Sequence, residues 1–368
     1  MADKQRKPYG LWDSPITALS VSQGIRLNEV QWDTNGEFLV WLEGRSDIGM
    51  LVASQMGEAG VDLNGEMSCR GGVGYGGGEF AVQNNLVIFA GKDGRLYRRE
   101  LTPEKAKPIT PAYGSVAAPK ISPDGRHVIY VFSDGANDVL GVVDTSGVQW
   151  PQKMVQGADF YMQPVWHPHG NMIAWVEWDH PNMPWDGTRL KLASMEVDEL
   201  PSIKIIQTVA GDDETVIFQP EFSPDGQWLS YISSAGEWDA LVLVNLNTME
   251  KQIVYQPLDL HLMEPAWVQG VRTYSWNTDS QSVFLLQNQY GSNSLWQLNV
   301  FSKEIKKIDT GNYTWLKQIS VSSKGEIALI ATCASIPARL IVGEGNSWRV
   351  VARSSAENIP PAYLSSPQ

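Results

Sequence analysis

With 368 residues, 43% of them apolar and 19% charged, the chain is neither disordered nor fibrous, and its length suggests two or three domains or one domain built from repeats. Its 28 Lys and Arg against 41 Asp and Glu leave a net charge of −13, which argues against a nucleic-acid binder, since neutralising phosphates needs a basic footprint. Two cysteines, Cys69 and Cys333, are too few for a disulfide framework or a structural zinc site, and no apolar run approaches the ~20 residues that span a bilayer.

In chain order, Met1 to Pro8 is basic, but no apolar stretch follows that would make it a secretion signal. A cytoplasmic chain is expected, without a membrane or nucleic-acid partner. Residues 1–25 read as an N-terminal arm, with room for a short helix at Ser14 to Leu19. From there one pattern recurs: an aromatic or aliphatic residue, a short polar turn usually holding Gly, then an apolar strand. The copies begin with Trp32-Asp33-Thr34-Asn35-Gly36 and continue with Phe80 to Asn85, which lacks the glycine. Ile121-Ser122-Pro123-Asp124-Gly125, Trp166-His167-Pro168-His169-Gly170 and Phe222-Ser223-Pro224-Asp225-Gly226 follow. Trp276 to Ser280 and Val321 to Gly325 are weaker copies. In these turns Pro presets φ, Asp caps the turn and Gly takes the positive-φ position.

The seven copies lie roughly 48 residues apart, within the span of ~40–50 residues of a propeller blade. Tandem sandwiches would not repeat one turn at near-constant intervals. The expectation is therefore an all-β fold, a seven-bladed β-propeller of four-stranded antiparallel blades over 26–355. Residues 356–368, rich in Pro and Ser, read as a linker. The tryptophans Trp32, Trp41, Trp166, Trp175, Trp228 and Trp276 are expected in the blade core.

Blade geometry assigns faces. If strands run from the centre outward, the loop between second and third strands shares a face with the connections between blades. The longest such loop is Glu177 to Gly187. Glu237-Trp238-Asp239 and the connection Cys69 to Gly78 fall on the same side. The candidate site on this face is Arg70, Tyr75, Glu177, Trp178, His180, Trp185, Asp186, Glu237 and Trp238. Two tryptophans in the Glu177 to Gly187 loop need something to pack on.

Other motifs are weaker. His167-Pro168-His169 occupies a turn slot of its blade, so a structural role is favoured over a metal pair. Gly71 to Gly78 lacks the Gly-Lys-Ser/Thr ending of a phosphate loop. No Gly-x-Ser-x-Gly elbow is present, and the five histidines offer no base beside an activated serine. Asn312-Tyr313-Thr314 is a sequon without a secretion signal. No metal and no cofactor are expected. A propeller enzyme of the lactonase or glycosidase kind would need a ring of carboxylates or a metal in the central channel, and the inner-strand residues placed there show neither.

Three segments resemble a known family. Lys7-Pro8-Tyr9-Gly10-Leu11-Trp12-Asp13-Ser14-Pro15-Ile16-Thr17 is similar to the start of acylaminoacyl-peptidase and dipeptidyl-aminopeptidase-like enzymes of the prolyl oligopeptidase family. Trp178-Asp179-His180-Pro181-Asn182-Met183-Pro184-Trp185-Asp186-Gly187-Thr188 resembles their most distinctive propeller loop. Tyr75-Gly76-Gly77-Gly78 resembles the end of the family's Arg-x-His-Glu-Tyr-Gly-Gly-Gly segment, although Val73-Gly74 stands here for His-Glu. The resemblance implies a propeller that sits over an α/β-hydrolase domain carrying a Ser-Asp-His triad. The chain stops about where that domain would begin. It is therefore expected to be the non-catalytic propeller of a serine peptidase, inactive alone. It would gate access of peptide or acyl-peptide substrates and dock the hydrolase domain, in cis or from a split gene. Acidic groups on the loop face would hold a peptide's amino end. The alternative is a free-standing propeller resembling the TolB type, acting as an interaction scaffold.

Overall fold

The structure, a computed structural model, describes residues 8–360 except 12, 13, 56, 103, 197 and 198, and also 363 and 364. Lys7, Trp12 and Asp13 of the opening motif, and 361, 362 and 365–368 of the tail, lie outside the described residues. Seven antiparallel sheets, each of four consecutive strands, form the seven-bladed propeller. Their inner strands are Arg26–Trp32, Phe80–Gln83, Ser115–Ile121, Phe160–Trp166, Ile217–Phe222, Tyr274–Trp276 and Trp315–Val321. Ahead of the first blade is a one-turn helix, Ala18–Ser22, whose N-terminus is capped reciprocally by Thr17 and Ser20.

The repeated turn is held by its own side chains. In blade three the Ser122 hydroxyl donates to Asp124 at 2.6 Å and accepts from the His127 N–H at 2.9 Å, while Asp124 accepts from the Arg126 N–H at 3.1 Å. Gly125 has φ +73°. Blade five repeats the arrangement with Ser223, Asp225 and Trp228. Burial pushes the Asp124 carboxyl up, but bonds from Ser122 and Arg126 outweigh it and hold it at about 2. In blade four His167 takes the serine slot. Its Nδ1 accepts from the His169 N–H at 3.2 Å, which leaves Nε2 to donate to the Gly226 carbonyl of blade five at 2.9 Å. In blade two Asn84 and Asn85 replace the glycine turn, both at positive φ (+51° and +63°).

Each blade packs on the next through large side chains. Trp166 and Trp175 of blade four meet Ile129, Val131 and Val142 of blade three; Trp276 of blade six meets Ile232 and Leu243 of blade five. Burying one such indole removes on the order of 200 Å² from water, about 5 kcal/mol as an upper figure. The ring closes between blades seven and one without a shared sheet. Trp32, Trp41 and Val52 pack on Ile330, Leu340 and Val342, and the Ile25 N–H donates to the Ser354 carbonyl at 3.0 Å.

The inner strands are not regular. Ala118, Gln163, Gln219 and Gln318 lie at bulges with φ between +49° and +61°. Three of these positions are glutamines, and the Gln163 and Gln318 amides donate to the Val271 and Gly270 carbonyls ahead of the sixth inner strand. Gln219 donates to the Tyr274 carbonyl at 2.6 Å and accepts from the Thr273 N–H at 2.7 Å.

Candidate functional site

Strand direction puts the second-to-third-strand loops and the interblade connections on one face. Two connections, from blade one to two (residues 63–79) and from blade five to six (residues 256–273), meet over the channel mouth. The Gln269 N–H donates to the Gly76 carbonyl at 2.9 Å, and Gly77 and Gln269 form a parallel bridge. The glycine run serves this crossing. Gly77 has φ +83°, and a Cβ there would lie 2.3 Å from the Gln269 carbonyl oxygen; one at Gly71 would lie 2.3 Å from that of Gly77.

Beside the crossing is an apolar cleft of about 110 Å³. Tyr75, Trp178, Met183, Trp185 and Trp267 line it, over Phe160. Trp267 packs on Trp185 with centroids 4.2 Å apart and on Tyr75 at 5.9 Å. Tyr75 is 74% and Trp267 55% exposed, an unusual investment of aromatic surface in water.

The nine residues singled out in the sequence separate in space. Tyr75, Trp178 and Trp185 meet at the cleft, and Arg70 joins Tyr75 at a neighbouring charged cavity. Trp178 departs from the expectation of a loop tryptophan. It ends the strand Met172–Trp178, is 7% exposed, and stacks on Phe160 at 5.2 Å, so it is a core side chain that floors the cleft. Glu177 lines neither the cleft nor the charged cavity. It lies in the same strand, buried, where its carboxylate accepts from the Trp175 indole N–H at 2.8 Å and faces Lys191 at 3.3 Å. Blade one repeats this pair, Trp41 donating to Glu43 at 2.8 Å, which identifies Trp-x-Glu as a blade element. His180 is exposed with its ring edge against Phe160, and Asp186 closes its own loop by accepting from the Met183 N–H at 2.8 Å. Glu237 is exposed, and Trp238 rests on His261 at 5.4 Å; neither lines the cleft or the charged cavity.

Sequence reasoning missed Trp267, which sits in a connection without repeat pattern. It also missed the charges of the channel. Glu29, Glu79, Glu221, Lys120 and Arg272 project there, so the inner strands do carry carboxylates, interleaved with cations. Their signal was present: Lys120 and Glu221 each stand one residue before the apolar anchor of a Ser-Pro-Asp-Gly turn. The Glu79 carboxyl is pushed up to about 10, first by burial and then by the charge of Glu29 and a hydrogen bond to it. The Glu79 N–H itself donates to Glu29 at 3.2 Å. Burial raises Glu221 and lowers Lys120 and Arg272. Among the described residues no group of three or more His, Cys, Asp or Glu could hold a metal ion.

The channel is divided. On the loop side is a cavity of about 580 Å³, on the turn side one of about 260 Å³, and Glu29, Gly270's neighbour Val271, and Arg272 line both. Gly270 and Gly78 touch between them, a Cβ on Gly270 lying 2.8 Å from Gly78.

No family profile and no curated protein sequence matches the chain. Solved structures do. A puromycin-hydrolysing peptidase of Mycobacterium tuberculosis superposes with a TM-score of 0.88 at 25% identity, over 99% of this chain and 59% of that one. A puromycin hydrolase gives 0.86 at 25% identity, over 98% and 59%. Prolyl oligopeptidase B from Galerina marginata gives 0.68 at 8% identity over 93% and 52%, a likeness of fold alone. The chain thus spans about three fifths of the length of the two hydrolases.

Proposed function

As a propeller homologous to those of prolyl oligopeptidase-family enzymes, this chain is, we propose, the non-catalytic part of a serine peptidase: its loop face docks an α/β-hydrolase domain and limits which peptides enter the space between them. The observation that carries the reading is the convergence of Tyr75, Trp185 and Trp267 on that face, around a cleft floored by Trp178. Exposed aromatic clusters of this kind mark binding surfaces, and a few such residues dominate interface energy. The divided channel supports the gating half of the reading. Two interblade connections cross its mouth and Gly78 meets Gly270 inside it, which favours entry of substrate at the edge of the loop face over passage through the centre. Arg70, His180, Asp186, Glu237 and Trp238 belong to the rim of this surface in the proposal, and the peptide or acyl-peptide is its substrate class.

The test uses an α/β-hydrolase domain encoded beside this chain. Analytical ultracentrifugation should show a one-to-one complex. Joint replacement of Tyr75 and Trp267 by Ala should weaken it by about tenfold or more, in keeping with two interface aromatics. The pure chain should not cleave aminoacyl-nitroanilides. Absence of a complex, or cleavage by the chain alone that a serine-directed inhibitor abolishes, would refute the reading.

A further inference from the structure

Several basic side chains of this acidic chain are tied to carboxylates, as Arg45 is to Asp62, Arg126 to Asp124 and Arg189 to Asp213. Five others are not. Arg26, Arg70, Lys92, Arg272 and Lys317 take part in no ion pair among the described residues, and all five line the cavity of about 580 Å³ at the channel mouth. Arg70, Lys92 and Lys317 make no side-chain hydrogen bond there either, and Arg26 only reaches the Ser46 carbonyl at 3.4 Å. Arg272 spends one nitrogen on the Val30 carbonyl and Gln318, but its Nε is buried without an acceptor. An unpaired buried donor costs free energy that a ligand oxygen would recover.

The carboxyls sharing the cavity do not cancel this charge. Of Glu29, Asp47, Glu79 and Glu264, burial holds Glu79 protonated through neutral pH and pushes Glu264 up. The cavity is therefore a cationic spot on a molecule of net charge −13, with Arg26, Arg70 and Lys92 exposed at the rim and Lys317 and Arg272 half-buried below. Such a gradient draws an anion inward. The cavity also abuts the aromatic cleft, with which it shares Tyr75, Val268 and Gln269. A ligand filling both has a carboxylate at one end and an apolar group within a few bonds of it. Its volume falls within the range of roughly 300–1,000 Å³ typical of ligand pockets.

We propose that this cavity binds an acidic peptide segment, its carboxylate held by Arg272 and Lys317 beneath the rim of Arg26, Arg70 and Lys92, and a neighbouring apolar side chain seated in the Tyr75–Trp185–Trp267 cleft. That the carboxylate arrives on a peptide rests on the reading of this face as substrate-facing; the anion site itself does not.

Calorimetric titration of the chain tests this with two blocked tetrapeptides, N-acetyl-Leu-Glu-Glu-Leu-amide and its Leu-Gln-Gln-Leu counterpart. At low salt the Glu peptide should bind about tenfold tighter or more, as expected when charge-assisted bonds replace neutral ones, and the margin should shrink as salt rises. Lys317→Gln and Arg70→Gln should each remove most of that margin while leaving the Gln peptide and the melting temperature unchanged. Arg272→Gln also breaks bonds to Val30 and Gln318, so Lys317→Gln carries the test. Equal affinity for the two peptides, no binding of either, or an unchanged margin in Lys317→Gln overturns the proposal. So does inorganic phosphate binding as tightly as the Glu peptide. Peptide binding is read on this chain alone and docking on the hydrolase complex, so either can fail while the other stands.

Discussion

The two faces of the ring are built differently. On the turn face, the Ser and Asp side chains of a Ser-Pro-Asp-Gly turn bond within the turn itself, as the Ser122 hydroxyl does to Asp124 and the His127 N–H does to Ser122. On the loop face, aromatic side chains stand in water and cations lack partners. The turn face repeats because it only has to hold blades. The loop face is aperiodic, and what it leaves unsatisfied is what an outside molecule can satisfy.

Replacing two tryptophans that line one cleft gives the sharpest break of this comparison. Trp178→Ala empties a core site and should cost about 3–5 kcal/mol in denaturant unfolding. Trp267→Ala, at the exposed lip, should change stability by no more than about 0.5 kcal/mol. Similar losses for both would erase the distinction between floor and lip. Next in size is a pair of glycines. Gly77→Ala places a methyl against the Gln269 carbonyl at an unfavourable φ and should cost roughly 3 kcal/mol. Gly125→Ala, with the same sign of φ but open space around it, should cost only about 1 kcal/mol. Equal costs would mean that the crossing over the channel gives way easily.

The smallest expected effect concerns pH. Glu79 ionises at about 10 in the folded chain against 4.5 ordinarily, so folding takes up a proton between those values and stability falls as pH rises through them. Glu79→Gln stays neutral throughout. It should melt on the order of 2 °C higher than the parent at pH 8 and the same at pH 4. A parent melting temperature that is flat over this range would place Glu79 in contact with water.

The fold was legible because its signal recurs. A glycine at positive φ with an Asp two residues after a Ser is informative once and decisive when repeated. Even the blade-two exception obeys the rule, since Asn84 and Asn85 are the residues that tolerate that conformation best after glycine. The site was legible only in outline. Tyr75 and Trp185 could be placed by loop topology, but Trp267 lies in a connection that nothing else in the chain resembles. Glu177 was misplaced because its neighbours in the sequence are loop residues, whereas the strand extends one residue past it and buries it between blades. Comparison with Trp41-Leu42-Glu43 would have corrected this, as the same spacing appears in the first blade. The charges of the channel were missed because bulges re-aim inner-strand side chains, and alternation alone does not say where a bulge falls.

Because every sheet is made of four strands that are consecutive in the chain, and the first and last blades meet through side chains and the backbone bond of Ile25 to Ser354, the order in which the blades are synthesised is not written into any sheet. Joining residues 25 and 354 by a short linker and opening the chain instead between blades two and three, near Ala112, would leave all seven sheets uninterrupted. The seam is a place in the sequence more than a place in the architecture.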